Sequence, residues 1–274
     1  VSYRTAPLDP SVQLDVPGTI GTYNANEPAQ ILVGHLNTDR VDLRLYRVAI
    51  DEVLDVQENL WDSYPLDDLL RSWSVPVEAP LNEKAHTLVE LVEGGGQLEP
   101  GVYVLEVRAP DARFEPWMHR RLLSVSEYNL TLKRGEAGLW VWATELETGE
   151  PVSDLSLTVE QMGEASLGPV STDEAGLAYV SLEADPGGAL YVLSEDPFVL
   201  GGTGWEWERG ISPWEFGLQG GYGARDYRVH VTTDRPLYRA GQMVHFRGIV
   251  RREDDVDYSL PEQEEVLVQV YSVQ

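Results

Sequence analysis

Few side chains in this chain have the type and spacing that chemistry requires. The histidines are scattered: His35, His86, His119, His230 and His245. His230 and His245 fall in neighbouring predicted strands, where a cross-strand pair would offer two nitrogen ligands to a metal ion. No third ligand suggests itself, so a surface or half-buried structural role competes with metal binding. Asp254-Asp255-Val256-Asp257 offers hard carboxylate oxygens for calcium. The run lacks the ligand spacing and glycine of a calcium loop, and reads as a solvated turn between strands. No Gly-x-Ser-x-Gly elbow, His-Glu-x-x-His helix, phosphate-cradling loop or EF-hand spacing is present. The 46 acids make chance carboxylate pairs inevitable, and none identifies a glycosidase. The absence of cysteine removes a thiol nucleophile, zinc-thiolate sites, disulfides and an internal thioester from these residues. The chain is therefore read as a non-enzyme, with no catalytic residue, metal or cofactor.

One stretch could still hold a ligand. Between residues 196 and 226, glycines such as Gly201, Gly204, Gly210, Gly217 and Gly221 are interleaved with Trp205, Trp207, Trp214, Phe216 and Tyr222. The rings could stack on sugars or receive a partner's apolar side chain. Equally, they could be buried at a domain junction, where large aromatics contribute area and fix orientation. So many glycines resist regular structure, yet the rings are too numerous for a free linker, and an ordered connector is expected.

Composition narrows the partners. Acids outnumber the 20 bases so strongly that the formal net charge is -26, which repels phosphate backbones and anionic lipid. Neither nucleic acid nor membrane surface is expected as a partner, and no apolar run approaches the ~20 residues of a membrane helix. A secreted animal protein of 274 residues would more often use disulfides, so the lack of cysteine points to bacteria. The chain opens at Val1 without a signal sequence, as expected where targeting residues are removed or not included.

The elements that must position any site read as strands. With 17 prolines, 25 glycines and many β-branched residues, the fold class is all-β: serial immunoglobulin-like antiparallel sandwiches. Residues 1–125 form the first sandwich. Val12 to Val16 alternates and stops at Pro17-Gly18; Ala29–Val33, Val41–Val48 and Val102–Val107 follow as strands. One short helix interrupts this segment, predicted to start at Pro65 with Leu66, Leu69, Leu70 and Trp73 on one face and Asp67 and Asp68 in the first turn. Residues 126–195 form a second, smaller sandwich with strands at 139–144, 155–159 and 177–182 and a turn at Thr172–Gly176. Residues 196–226 are the connector. A third sandwich starts in 227–274, where about 48 residues fall short of the roughly 100 that such a domain needs.

That third segment carries the most specific string in the chain. Thr233-Asp234-Arg235-Pro236-Leu237-Tyr238-Arg239-Ala240-Gly241 makes a turn in which Asp234 caps, Pro236 fixes φ and Gly241 takes a left-handed conformation. Val244, Phe246, Gly248 and Val250 then alternate with Met243, His245, Arg247 and Ile249, a period of two that suits a half-buried strand. The whole string resembles the signature that opens a macroglobulin domain in the α2-macroglobulin family, especially its bacterial branch. Ala240 departs from that pattern, standing where the family usually has proline. Leu43–Val48 and Glu99–Glu106 are similar to strands of the family's first domain. Thr148–Val152 with Thr172–Gly176 is similar to the next, a pairing common to many sandwiches.

The resemblance implies a fold of serial macroglobulin-type domains and a part in a broad-spectrum protease trap. In such a trap a protease cuts an exposed bait region, the molecule changes shape, and a thioester or steric enclosure retains the attacker. It also implies an extracytoplasmic protein of the periplasm or cell envelope, often lipid-anchored, whose partners are proteases and other macroglobulin domains of the same chain. Since the bait and thioester lie elsewhere in such proteins, the present residues are expected to be scaffold, with Thr233, Asp234, Arg235, Pro236, Leu237, Tyr238, Arg239 and Gly241 as structural signature. The competing expectation is a serial immunoglobulin-like adhesin or carbohydrate-binding module that uses the aromatic connector.

Overall fold

The structure is a computed structural model that describes residues 6–16, 20–60, 64–135, 138–161, 166–182, 188–204, 207, 227–235, 237–239, 241–253 and 258–261. The chain divides into two compact units, one of Val1–Lys133, Leu139–Val180 and Gly188–Gly210, the other of Arg134–Gly138, Ser181–Gly187 and Ile211–Gln274. Strands dominate both, and the architecture is all-β.

The first unit opens with β1 (Ser11–Leu14), β2 (Ile20–Asn24), β3 (Gln30–Leu36) and β4 (Arg40–Val48). Helix α1 (Val53–Asn59) follows, then β5 (Leu69–Pro76), β6 (Ala85–Glu90) and β7 (Gly101–Arg108). A single helical turn, α2 (Pro116–His119), leads into β8 (Arg120–Ser126). A three-stranded sheet in the order β1-β3-β6 faces a five-stranded sheet in the order β2-β8-β7-β4-β5. All these pairings are antiparallel except β2 with β8.

Sequence pattern explains which strand sits where. In β4 the alternating Val41, Leu43 and Leu45 enter the core between the sheets. Strand β7 is apolar at nearly every position because both of its faces are covered, the condition that turns alternation into a continuous apolar run. Tyr103, Leu105 and Val107 join the core between the two sheets. Val102 and Val104 face the opposite way and pack with Val53, Val56 and Leu60 around α1.

That second cluster also takes in Leu193, Phe198 and Leu200. They come from β14 (Leu190–Glu195) and β15 (Phe198–Gly202), at the edge of the second sandwich. Two buried hydrogen bonds reinforce the joint: Gln57 Nε2 donates to Tyr191 Oη at 2.7 Å, and Ser126 Oγ donates to the Phe198 carbonyl at 2.7 Å. First and second sandwiches therefore share apolar packing within one unit.

The second sandwich contains β9 (Tyr128–Arg134), β10 (Gly138–Glu145), β11 (Ser156–Gln161), β12 (Leu167–Ser171) and β13 (Leu177–Ser181) besides β14 and β15. Its sheets run β13-β10-β9 and β12-β11-β14-β15. The expected turn at Thr172–Gly176 is present. Asp173 Oδ1 accepts from the amides of Ala175 and Leu177, each at 2.9 Å, and Gly176 has φ +74°. Glycine is required there, since a Cβ would stand 2.5 Å from the Ala143 carbonyl oxygen.

In the second unit β16 (Tyr227–Thr233) pairs antiparallel with β17 (Phe246–Glu253), which continues to β18 (Tyr258–Ser259).

One expectation is corrected. The helix predicted from Pro65 through Trp73 does not form there: residues 64–68 have no regular structure and Leu69–Pro76 is an edge strand, with Leu43 opposite Trp73 and Val41 opposite Val75. The same residues also satisfy a period of two, and tertiary pairing selected it. Trp73 and Val75 pack against the core while Leu69 and Leu70 stay about half exposed. The helix of this segment lies earlier, at α1, where Val53, Val56 and Leu60 form the buried stripe.

Candidate functional site

The signature segment is built around one carboxylate. It bridges β16 and β17, and Asp234 sits directly after the last residue of β16. The Asp234 amide donates to the His245 carbonyl at 3.0 Å, and the His245 amide donates back to Asp234 Oδ1 at 3.3 Å. The Tyr238 hydroxyl donates to the same Oδ1 and accepts from the Arg235 amide at 3.1 Å. Arg235 Nε lies 3.4 Å from Asp234 Oδ2. The Tyr238 hydroxyl, and then the His245 amide, hold the Asp234 carboxyl below its ordinary range. Thr233 Oγ1 donates to the Arg235 carbonyl at 2.7 Å. The Arg239 amide donates to Gln242 Oε1 at 2.9 Å, and Gly241 has φ +82°. Each of these residues closes the loop on itself. Leu237 is the outlier, pointing outward and 85% exposed. Pro236 lies outside the described residues.

His230 and His245 are not brought together. His230 stands opposite Ile249, while His245 precedes the Phe246 that pairs with Thr233. Among the described residues no three His, Cys, Asp or Glu side chains converge to hold a metal ion. Asp254 to Asp257 lie outside the described residues.

Of the connector aromatics, Trp207 alone is described. It is half-buried, packs against the cluster of α1 and β15, and comes close enough to Gly202 that a Cβ there would meet its Cδ1 at 2.7 Å. Its indole nitrogen is buried without a hydrogen-bond partner. Trp205, Trp214, Phe216 and Tyr222 lie outside the described residues.

The strongest electrostatic arrangement was not anticipated from sequence. Glu106 on β7 is 1% exposed, and its carboxylate accepts from Arg108 Nε at 2.6 Å and Arg120 Nε at 3.0 Å, with Arg44 Nη1 at 4.0 Å. Burial alone would raise the Glu106 carboxyl; the two arginine hydrogen bonds and their charges outweigh it and hold it below its ordinary range. The Arg108 guanidinium lies 3.8 Å from the Phe114 ring centroid, and Phe114 stacks on His119 at 5.4 Å. Arg120 Nη1 donates to the Tyr64 carbonyl at 3.2 Å. This network ties β4, β7 and β8 to the approach to α2, and it leaves no group free to act on a substrate.

A second unanticipated feature is an aromatic sheet face. In Leu139-Trp140-Val141-Trp142-Ala143 the aliphatic residues are buried, whereas Trp140 and Trp142 are 50% and 44% exposed. Tyr179 on β13 is 41% exposed, with its ring 4.6 Å from that of Trp140. The signal was legible: large aromatics on the polar phase of an otherwise clean alternation.

Residues 125–222 match the family described as "Bacterial alpha-2-macroglobulin MG3 domain". The chain is similar to a crystal structure of native alpha-2-macroglobulin from Escherichia coli spanning domains MG0-NIE-MG1, with TM-score 0.56 and 20% identity over 70% of this chain and 64% of that one. It is also similar to a variant of Salmonella alpha-2-macroglobulin, with TM-score 0.60 and 19% identity over 91% of this chain and 15% of that one. At such identities the likeness speaks to the fold, and the chain spans under two thirds of each of these relatives. No curated protein sequence matches it.

Proposed function

We propose that this chain belongs with the bacterial alpha-2-macroglobulins, whose MG3 family its residues 125–222 match, and that it is scaffold from a broad-spectrum protease trap. The observation that carries this reading is the shared apolar cluster of α1, β7, β14 and β15, which fastens two consecutive sandwiches together. A trap that answers one cut with a change of shape needs stiff modules, so that movement concentrates elsewhere. The described residues fit such a part. Their one concentrated charge network is a closed structural tie, and the signature loop is hydrogen-bonded to itself.

On this reading the modules run 1–125, 126–202 and 227 onward; the connector expected from residue 196 starts only after β15, which completes a sheet of the second sandwich. Proteases meet the parent through residues other than these, and the partners of these residues are further macroglobulin domains of the same chain. The parent works outside the cytoplasm, in the periplasm or at the envelope, with a lipid anchor as an implied feature. No described helix is long and apolar enough to cross a membrane.

The test uses the complete parent with trypsin or elastase, with and without methylamine pretreatment, on native gels. Expected are a cleavage-triggered mobility change and retained protease, with methylamine sensitivity reporting a thioester. Cleavage with neither retention nor a change of shape would refute the trap.

A further inference from the structure

The outward face of the sheet β13-β10-β9 has a composition unlike the rest of this chain. Leu139, Val141 and Ala143 of β10 are fully buried, which sends Trp140 and Trp142 to the other side. On β9, Leu130 and Leu132 lie against Gly201 of β15, so Thr131 and Lys133 share the outer side with the tryptophans. On β13, Ala178 is buried while Leu177 and Tyr179 are 38% and 41% exposed. No residue on the outward phase of 129–133, 140–144 or 177–181 is an acid, in a chain with 46 acids and 20 bases. Asn129 Nδ2 donates to Thr131 Oγ1 at 3.2 Å, giving the apolar field a polar rim.

We propose that this face is a binding platform for a neutral oligosaccharide. The backbone positions of two tryptophans two residues apart on one strand are about 6.8 Å apart, on the scale of a pyranose unit. The π-faces carry the negative side of a quadrupole, which attracts the weakly positive C–H faces of a sugar ring. Charge selects among ligands. The net charge of -26 repels anionic polymers. Area selects against a second copy of this chain. The three rings expose on the order of 300 Å² together, well short of the ~800 Å² per partner of a stable protein interface. This site is separate from the aromatic connector and stands independently of the protease-trap reading.

The test is calorimetric titration of the 274-residue chain with cellohexaose and with chitohexaose, both neutral, repeated on Trp140→Ala and Trp142→Ala. Both positions are half exposed, so each substitution should cost no more than about 1–2 kcal/mol, and thermal unfolding checks that the variants stay folded and interpretable. Expected is saturable binding with Kd on the order of 10⁻⁴ M, weakened about tenfold or more by either substitution. Absence of binding at millimolar sugar, or binding that both variants retain, would overturn the proposal. Concentration-dependent self-association that is lost in Trp142→Ala would also overturn it and assign the face to protein contact.

Discussion

Replacing Glu106 with glutamine is the sharpest probe of what holds the first unit together. The substitution keeps the shape of the side chain, removes its charge and turns one acceptor oxygen into a donor. Glu106 is 1% exposed, but its partners differ: Arg120 is 11% exposed, whereas Arg108 and Arg44 are 41% and 48% exposed. The two exposed arginines recover water when the carboxylate goes, so their loss is small. Arg120 has little such recourse. Breaking a buried pair by removing one partner costs about 3–5 kcal/mol, and a charged hydrogen bond contributes about 1.5–3 kcal/mol. Glutamine still accepts one hydrogen bond, which places Glu106→Gln at about 2–3 kcal/mol of destabilisation at pH 7. For a unit of this size that is a fall in Tm of roughly 4–12 °C. Urea unfolding followed by circular dichroism, with the slope checked for constancy, measures it. The variant also tests the sign of the pH dependence. The folded carboxyl is held below its ordinary value, so its stabilisation is present above about pH 4.5 and is lost as pH falls through the folded pKa. Glu106→Gln should flatten the acid limb of the stability curve. A change below about 0.5 kcal/mol with an unaltered acid limb would refute the account, because that is the range of an ordinary surface substitution.

Two further substitutions probe other parts of the fold. His35 is 1% exposed, its Nε2 lies 3.0 Å from Thr87 Oγ1, and its Nδ1 has no partner. Burial, and then His86, lowers its pKa, so the unfolded chain takes up the proton first. Stability should therefore decline as pH falls from about 6.5 toward the folded pKa, and His35→Leu should abolish that component in unfolding experiments across pH 5 to 7. Gly176→Ala should lower stability by about 1–3 kcal/mol, because φ +74° and a Cβ 2.5 Å from the Ala143 oxygen both penalise it; a neutral result in thermal unfolding would mean the turn relaxes freely.

Strands with one clean face were legible in the sequence, and those whose environment is decided by tertiary packing were harder to read. Val41, Leu43 and Leu45 announced their inward face by alternation alone, and the turn at Thr172–Gly176 announced itself by residue type. Residues 65–73 misled because a helical stripe and a strand alternation can be drawn through the same leucines, and only pairing with β4 decides between them. The Glu106 network was invisible for a related reason. Its members come from three strands, and no local spacing reveals that Arg44, Arg108 and Arg120 converge on one carboxylate. Within the signature, residue types foretold the cap at Asp234 and the left-handed Gly241. They did not foretell that the Tyr238 hydroxyl would share that carboxylate.

The buried bond from Gln57 to Tyr191 closes a loop of 134 residues, and Phe198 completes the same cluster. The rear of the five-stranded sheet, covered on one part by α1, therefore stays incompletely covered until the polypeptide has been made to about residue 200. During synthesis at about 5–20 residues per second, the part of this face that β14 and β15 cover would meet water for several seconds. Contacts so distant in sequence also slow folding, because loop closure must precede the packing that rewards it. The first sandwich is thus a module that matures late, and a nascent chain halted before β14 would present its unfinished face to any chaperone in reach.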